Sequence, residues 1–190
     1  GCGSQVCGYS VSEQPAISSG SAVLIENSTS KVLFDKNMNS KLEPASITKI
    51  MTAILAIENC DLNDTVTVPY EAISNIPSGY SIVPLQTDEQ ITVDQLLRVL
   101  MVHSANDAAN VLAFHIDGSI SAFAERMNAK LNALGLHDSH FTNPSGQHDE
   151  NHYSTAHDIA LLLQYCMKNS TFKNYASLKS CHLSATNKSD

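Results

Sequence analysis

Two short apolar runs open the patterned part of the chain, Ser21-Ala-Val-Leu-Ile-Glu26 and Lys31-Val-Leu-Phe-Asp35. The turn-forming Asn27-Ser-Thr-Ser30 separates them, so they predict a β-hairpin, and two strands alone need further cover. After Pro44 the period becomes helical: Ile47, Ile50, Met51, Ile54 and Ile57 predict a mostly buried helix that starts close to Ser46. A second helix follows Thr92, whose Gln95 three residues on completes a capping-box pattern; it turns Val93, Leu96, Leu97, Leu100 and Met101 inward and ends near His103. Asp107–Ile116 and Ser121–Leu134 predict two more helices, the latter with Gly135 as its C-cap. Asn143-Pro-Ser-Gly146 predicts a loop, Ser154–Asn169 a helix through Ile159, Leu162, Leu163 and Cys166, and Ser180–Thr186 the start of a strand. Strands, then helices, then a strand, with no repeat and no βαβ alternation, fit a segregated α+β domain.

Composition bounds this picture. The chain has 190 residues, 43% hydrophobic and 16% charged, enough to bury one core and too apolar for a disordered or coiled-coil chain. A formal charge of −8 without runs of one sign argues against a nucleic-acid partner. Residues 1–20 are rich in Ser, Gly and Gln and read as a flexible lead-in, with a signal peptide expected to have been removed already. The five cysteines (Cys2, Cys7, Cys60, Cys166, Cys181) form no C-x-x-C pair; the last three lie in or beside apolar segments and read as small buried hydrophobes.

Ser-x-x-Lys occurs at Ser28/Lys31, Ser46/Lys49 and Ser170/Lys173, so spacing alone selects none of them. Context favours the second. Ser28 lies in the predicted turn and Ser170 at a helix end, whereas Ser46 opens a buried helix with Lys49 one turn along the same face. The positive end of the helix dipole and apolar neighbours both disfavour an ammonium there, and a neutral Lys49 can take the proton of Ser46. Ser104-Ala-Asn106, the single Ser-x-Asn in the sequence, falls at a helix end. There it can supply a hydroxyl for proton relay and an amide for a substrate carbonyl.

These residues resemble the serine D-alanyl-D-alanine carboxypeptidases, the low-molecular-mass penicillin-binding proteins of the peptidase S11 family, whose first two motifs are Ser-x-x-Lys and Ser-x-Asn. The likeness extends through Pro44-Ala-Ser-Ile-Thr-Lys-Ile-Met-Thr-Ala53, Ser104-Ala-Asn-Asp-Ala-Ala109, Phe141-Thr-Asn-Pro-Ser-Gly146 and His148-Asp-Glu-Asn-His-Tyr-Ser-Thr-Ala156, and covers roughly residues 20–190. It implies a β-lactamase/penicillin-binding-protein transpeptidase-like fold, an antiparallel sheet packed with helices, here over residues 21–190 with a mostly helical subdomain at about 60–160. It further implies a secreted enzyme of the bacterial cell envelope that removes the terminal D-Ala of peptidoglycan stem peptides through an acyl-enzyme, with β-lactams acylating the same serine. By motif position Ser46 is the nucleophile, Lys49 its base, Ser104 the relay toward the leaving amine and Asn106 a substrate clamp. No metal and no organic cofactor is implied, and a membrane anchor is left to sequence outside this chain.

One departure stands out: the family's third motif, Lys-Thr-Gly on a strand facing the serine, is absent from the 190 residues. The expectation is an N-terminal part of a longer enzyme, or a chain whose remainder is a separate piece, with an incomplete sheet that favours self-association. Three other readings compete. A β-lactamase of the same fold would need a carboxylate for deacylation, for which Glu150 is the nearest candidate. A metal hydrolase is prompted by His137, His140, His148, His152 and His157, without His-Glu-x-x-His. The third is a piece that binds wall peptide or penicillin without turnover.

Overall fold

The computed structural model describes residues 44–178 in backbone and 47–178 in side chain. The predicted lead-in, the 21–35 hairpin and the 180–186 strand lie outside the described residues. Within them seven helices and two short strands run in the order α1 (Pro44–Asn59), β1 (Thr65–Thr67), α2 (Tyr70–Ile73), β2 (Gln90–Thr92), α3 (Val93–His103), α4 (Asn106–Asp117), α5 (Ile120–Ala133), α6 (Ala156–Met167) and α7 (Ser170–Ala176).

α1 is the axis of the packing, in contact with α3, α4, α5, α6 and α7. Its sequence explains why. Ile47, Ile50, Met51, Ile54 and Leu55 are buried, and so are Thr48, Thr52, Ala53 and Ala56 on the remaining faces. A helix apolar or small on nearly every side has no solvent face and must sit inside other elements. Pro44 suits the first helical turn, where a missing N–H costs nothing.

The surrounding helices are fixed at their ends by local chemistry. The capping box at Thr92 is present in full: its side chain accepts from Gln95 N–H while Gln95 Oε1 accepts from Thr92 N–H. Ser119, Thr155 and Asn169 cap α5, α6 and α7 in the same way, each accepting from the backbone three residues on. At the far end of α5, Gly135 adopts φ +77° and Leu136 N–H returns to Leu131 O at 2.9 Å, a Schellman closure that needs the residue without a Cβ.

Two strands outside the predicted hairpin form the described sheet. β1 and β2 pair antiparallel with Val66 opposite Ile91, both buried, while Thr65, Thr67 and Gln90 beside them are exposed and Thr92 is half-buried. α7 was not anticipated either; Ser170 therefore starts a short helix rather than ending one, and both it and Lys173 are exposed. Cys166 is buried and Cys60 half-buried, both as free thiols that burial makes harder to ionise.

Candidate active site

Ser46 is the third residue of α1, inside the first turn, where backbone N–H groups have no partner within the helix and remain available to an anion. Lys49 stands one turn further along. Its side chain is only 5% exposed, and burial lowers its pKa from the usual lysine range to about 8. The cause is the same packing that buries α1: an ammonium surrounded by protein loses hydration that a neutral amine scarcely needs.

The second motif occupies the joint between α3 and α4, two helices that both pack on α1. Ser104 closes α3 in the left-handed conformation, φ 52° and ψ 43°, unusual for a residue with a Cβ. That backbone reverses the chain in two residues, so α4 begins at Asn106. Asn106 is buried, and its backbone N–H and side-chain Nδ2 both donate to Ser81 O, at 2.8 and 2.9 Å. One Nδ2 hydrogen is thereby committed and the other is left without a partner among the described residues. Its Oδ1 is buried without a hydrogen-bond partner among the described residues.

Asp107, which sequence reasoning did not single out, secures this joint. Its buried carboxylate accepts from Val83 N–H at 3.1 Å, Leu85 N–H at 2.8 Å and Ala108 N–H at 3.0 Å. Burial raises its pKa, and those backbone donors pull the other way. The 81–85 segment, which includes a cis Val83-Pro84 bond, is thus held against the start of α4. An acidic residue in the first turn of the helix is the one local signal by which the sequence could have marked it.

A third segment, 141–153, reaches α1 from the other direction. Asn143 Oδ1 gathers the N–H groups of Ser145, Gly146 and Gln147 at 3.2, 2.7 and 3.0 Å, which shapes the predicted loop. Thr52 Oγ1 donates to Pro144 O at 2.6 Å, and Thr48 Oγ1 lies 2.5 Å from His152 Nε2. His152 is buried and its pKa falls to about 4, first through desolvation and then against the opposing charge of Asp149 and with that of His140. His148 N–H points to Tyr80 Oη at 3.4 Å, linking this loop to the segment that serves Asn106. A cavity of about 260 Å³ lies beside it, walled by Glu71, Asn75, Asn110, Thr142, Asn143 and Gln147 among others.

Of the five histidines that suggested a metal centre, His137, His140, His148 and His157 are exposed while His152 is engaged with Thr48. Among the described residues no three His, Cys, Asp or Glu side chains are grouped to hold a metal. Glu150, the carboxylate considered for deacylation, is exposed.

The sequence profile of the D-alanyl-D-alanine carboxypeptidase family, peptidase S11, matches residues 9–189. The chain is 41% identical over 153 residues to D-alanyl-D-alanine carboxypeptidase DacF of Bacillus subtilis, covering 78% of this chain and 39% of that protein. It is 34% identical over 151 residues to the D-alanyl-D-alanine endopeptidase of Escherichia coli, covering 79% of this chain and 48% of that one. Among solved structures, penicillin-binding protein 6B of Escherichia coli superposes with a TM-score of 0.70 at 32% identity, over 76% of this chain and 49% of that chain. A Streptomyces K15 DD-transpeptidase mutant superposes at 0.65 with 32% identity, over 69% of this chain and 54% of its own. The chain thus spans less than half the length of the curated relatives it matches.

Proposed function

Since the chain belongs to the D-alanyl-D-alanine carboxypeptidase family of serine peptidases, we propose that it carries the acylating residues of an enzyme that removes the terminal D-Ala from peptidoglycan stem peptides and is blocked by β-lactams. The observation that carries this reading is Lys49: buried, one helical turn from Ser46, and lowered to about 8.

In the proposed sequence of steps neutral Lys49 takes the Ser46 hydroxyl proton as Oγ attacks the carbonyl carbon of the penultimate D-Ala. The negative charge that develops on the carbonyl oxygen meets backbone N–H at the start of α1. Ser104 passes the proton to the leaving D-Ala nitrogen, the C–N bond breaks, and an ester to Ser46 remains for water to hydrolyse. Asn106 holds the substrate amide with the Nδ2 hydrogen that Ser81 leaves free. A β-lactam follows the same course until its ring amide opens, and the ester then persists. The family's Lys-Thr-Gly strand, which by resemblance binds the substrate carboxylate and adds a second oxyanion donor, is not among these 190 residues. An enzyme of this kind would work in the bacterial cell envelope.

Intact-protein mass after incubation with penicillin tests the reading, on the 190-residue chain and on the full natural chain, each against Ser46→Ala. An adduct of one penicillin that requires Ser46, with release of D-Ala from a stem peptide by the full chain, is the expected result. A folded full chain that takes up no penicillin, or labels equally well as Ser46→Ala, overturns it.

A further inference from the structure

We propose that His152 is a positioning residue for acylation: its imidazole fixes the N-terminal part of α1, at Thr48 between Ser46 and Lys49, to the loop that follows Phe141. The proposal rests on the reading of Ser46 and Lys49 given above. Thr142 N–H donates to His152 Nδ1 at 2.9 Å, and a backbone N–H can only donate, so Nδ1 carries no proton. The proton of the neutral ring is therefore on Nε2, which donates to Thr48 Oγ1 at 2.5 Å. Both ring nitrogens are used, in one tautomer and one orientation.

The partner's position gives this bond its leverage. Thr48 lies between Ser46 and Lys49 in the chain, and successive residues of a helix are rotated by about 100°. Holding the Thr48 hydroxyl sets the rotation of the whole turn, and so the directions in which its neighbours project. Thr52, one turn on and on the same face, donates to Pro144 O at 2.6 Å, so the helix is tied to the loop at two heights.

The loop itself is stiff. Phe141 stacks on the His152 ring with centroids 5.0 Å apart, and Asn128 of α5 grips the Phe141 backbone through both N–H and C=O, at 2.9 and 2.8 Å. Apolar side chains of the same size would fill this space without burying a polar pair, but packing alone does not impose a direction.

The test follows Ser46 acylation by benzylpenicillin in the full natural chain, by quenched intact-mass time courses for wild type, His152→Ala, His152→Gln, Thr48→Val and the Thr48→Val/His152→Ala double variant. Near-UV circular dichroism supplies the folded fraction. His152→Ala and Thr48→Val should each slow the acylation rate constant about tenfold while the labelled endpoint of the folded fraction stays complete. The double variant should be no slower than the slower single one. Glutamine, whose amide can donate to Thr48 and accept from Thr142, should restore the rate to within about threefold. A smaller folded fraction that still labels with the wild-type rate constant would assign His152 to folding alone and overturn the proposal. Wild-type rate constants in both single variants, or additive losses in the double, overturn the proposal. A wild-type chain without a Ser46-dependent adduct overturns instead the parent reading, and this one with it.

Discussion

In the proposed role of Lys49 as base, the burial that would free its amine also costs stability. With a folded pKa of about 8, roughly one molecule in ten carries the neutral amine at pH 7, against about one in three thousand for an ordinary lysine. Acylation by penicillin should accordingly climb about tenfold per pH unit below 8 and level off above it, and a rate flat from pH 6 to 9 would remove Lys49 as the base. The stability sign follows from the same shift. Between about pH 8 and 10.5 the unfolded chain holds a proton that the folded chain has lost, so Lys49 makes the fold less stable at neutral pH and this cost fades as pH rises through that window. Replacing it with methionine, similar in length and without charge, should raise stability by about 1–3 kcal/mol while abolishing acylation. Ser104 shows the same tension in the backbone, because a left-handed residue with a Cβ stores about 1 kcal/mol that a glycine would release.

At the level of elements, the joint between α3 and α4 depends on a carboxylate rather than on the helices alone. Asp107→Ala leaves the N–H groups of Val83 and Leu85 without their acceptor, and should cost about 2–4 kcal/mol, with faster amide exchange first across 81–85. Unchanged exchange in that segment would show that α4 holds it by packing. Helix ends were legible in the sequence because their signals are local: Thr92 with Gln95, and Gly135 after Leu134, act within one turn. β1 and β2 escaped because three residues are too few to establish a period of two, and α7 because its seven residues hold barely two turns. The candidate site divides along the same line. The Ser46/Lys49 and Ser104/Asn106 spacings are written in the chain, whereas Ser81 is 25 residues from Asn106 and His152 is 104 from Thr48. No window along the sequence registers such pairs; only the fold brings them together.

The acid response of the whole molecule follows from what that long-range pairing does to one imidazole. Burial lowers the His152 pKa to about 4 in the folded chain, against the ordinary 6.5 once unfolded, so between those values unfolding takes up a proton. Stability is therefore lost as pH falls through that window. Burial disfavours the charged ring, Asp149 favours it and His140 opposes it; burial outweighs the attraction of Asp149. From pH 7 to 4.5 this one group should remove roughly 2–3 kcal/mol, a large share of the margin of an ordinary domain. Carboxylates throughout the chain contribute to acid unfolding as well, but they are common to wild type and to His152→Gln, which has no proton to gain. Thermal melts of the two proteins at both pH values isolate the histidine: the wild-type Tm should fall about 5–10 °C further than that of the variant. Parallel losses would mean that the ring is already charged, or already in water, at neutral pH. The neutral tautomer that joins Thr142 to Thr48 could not then be the resting state.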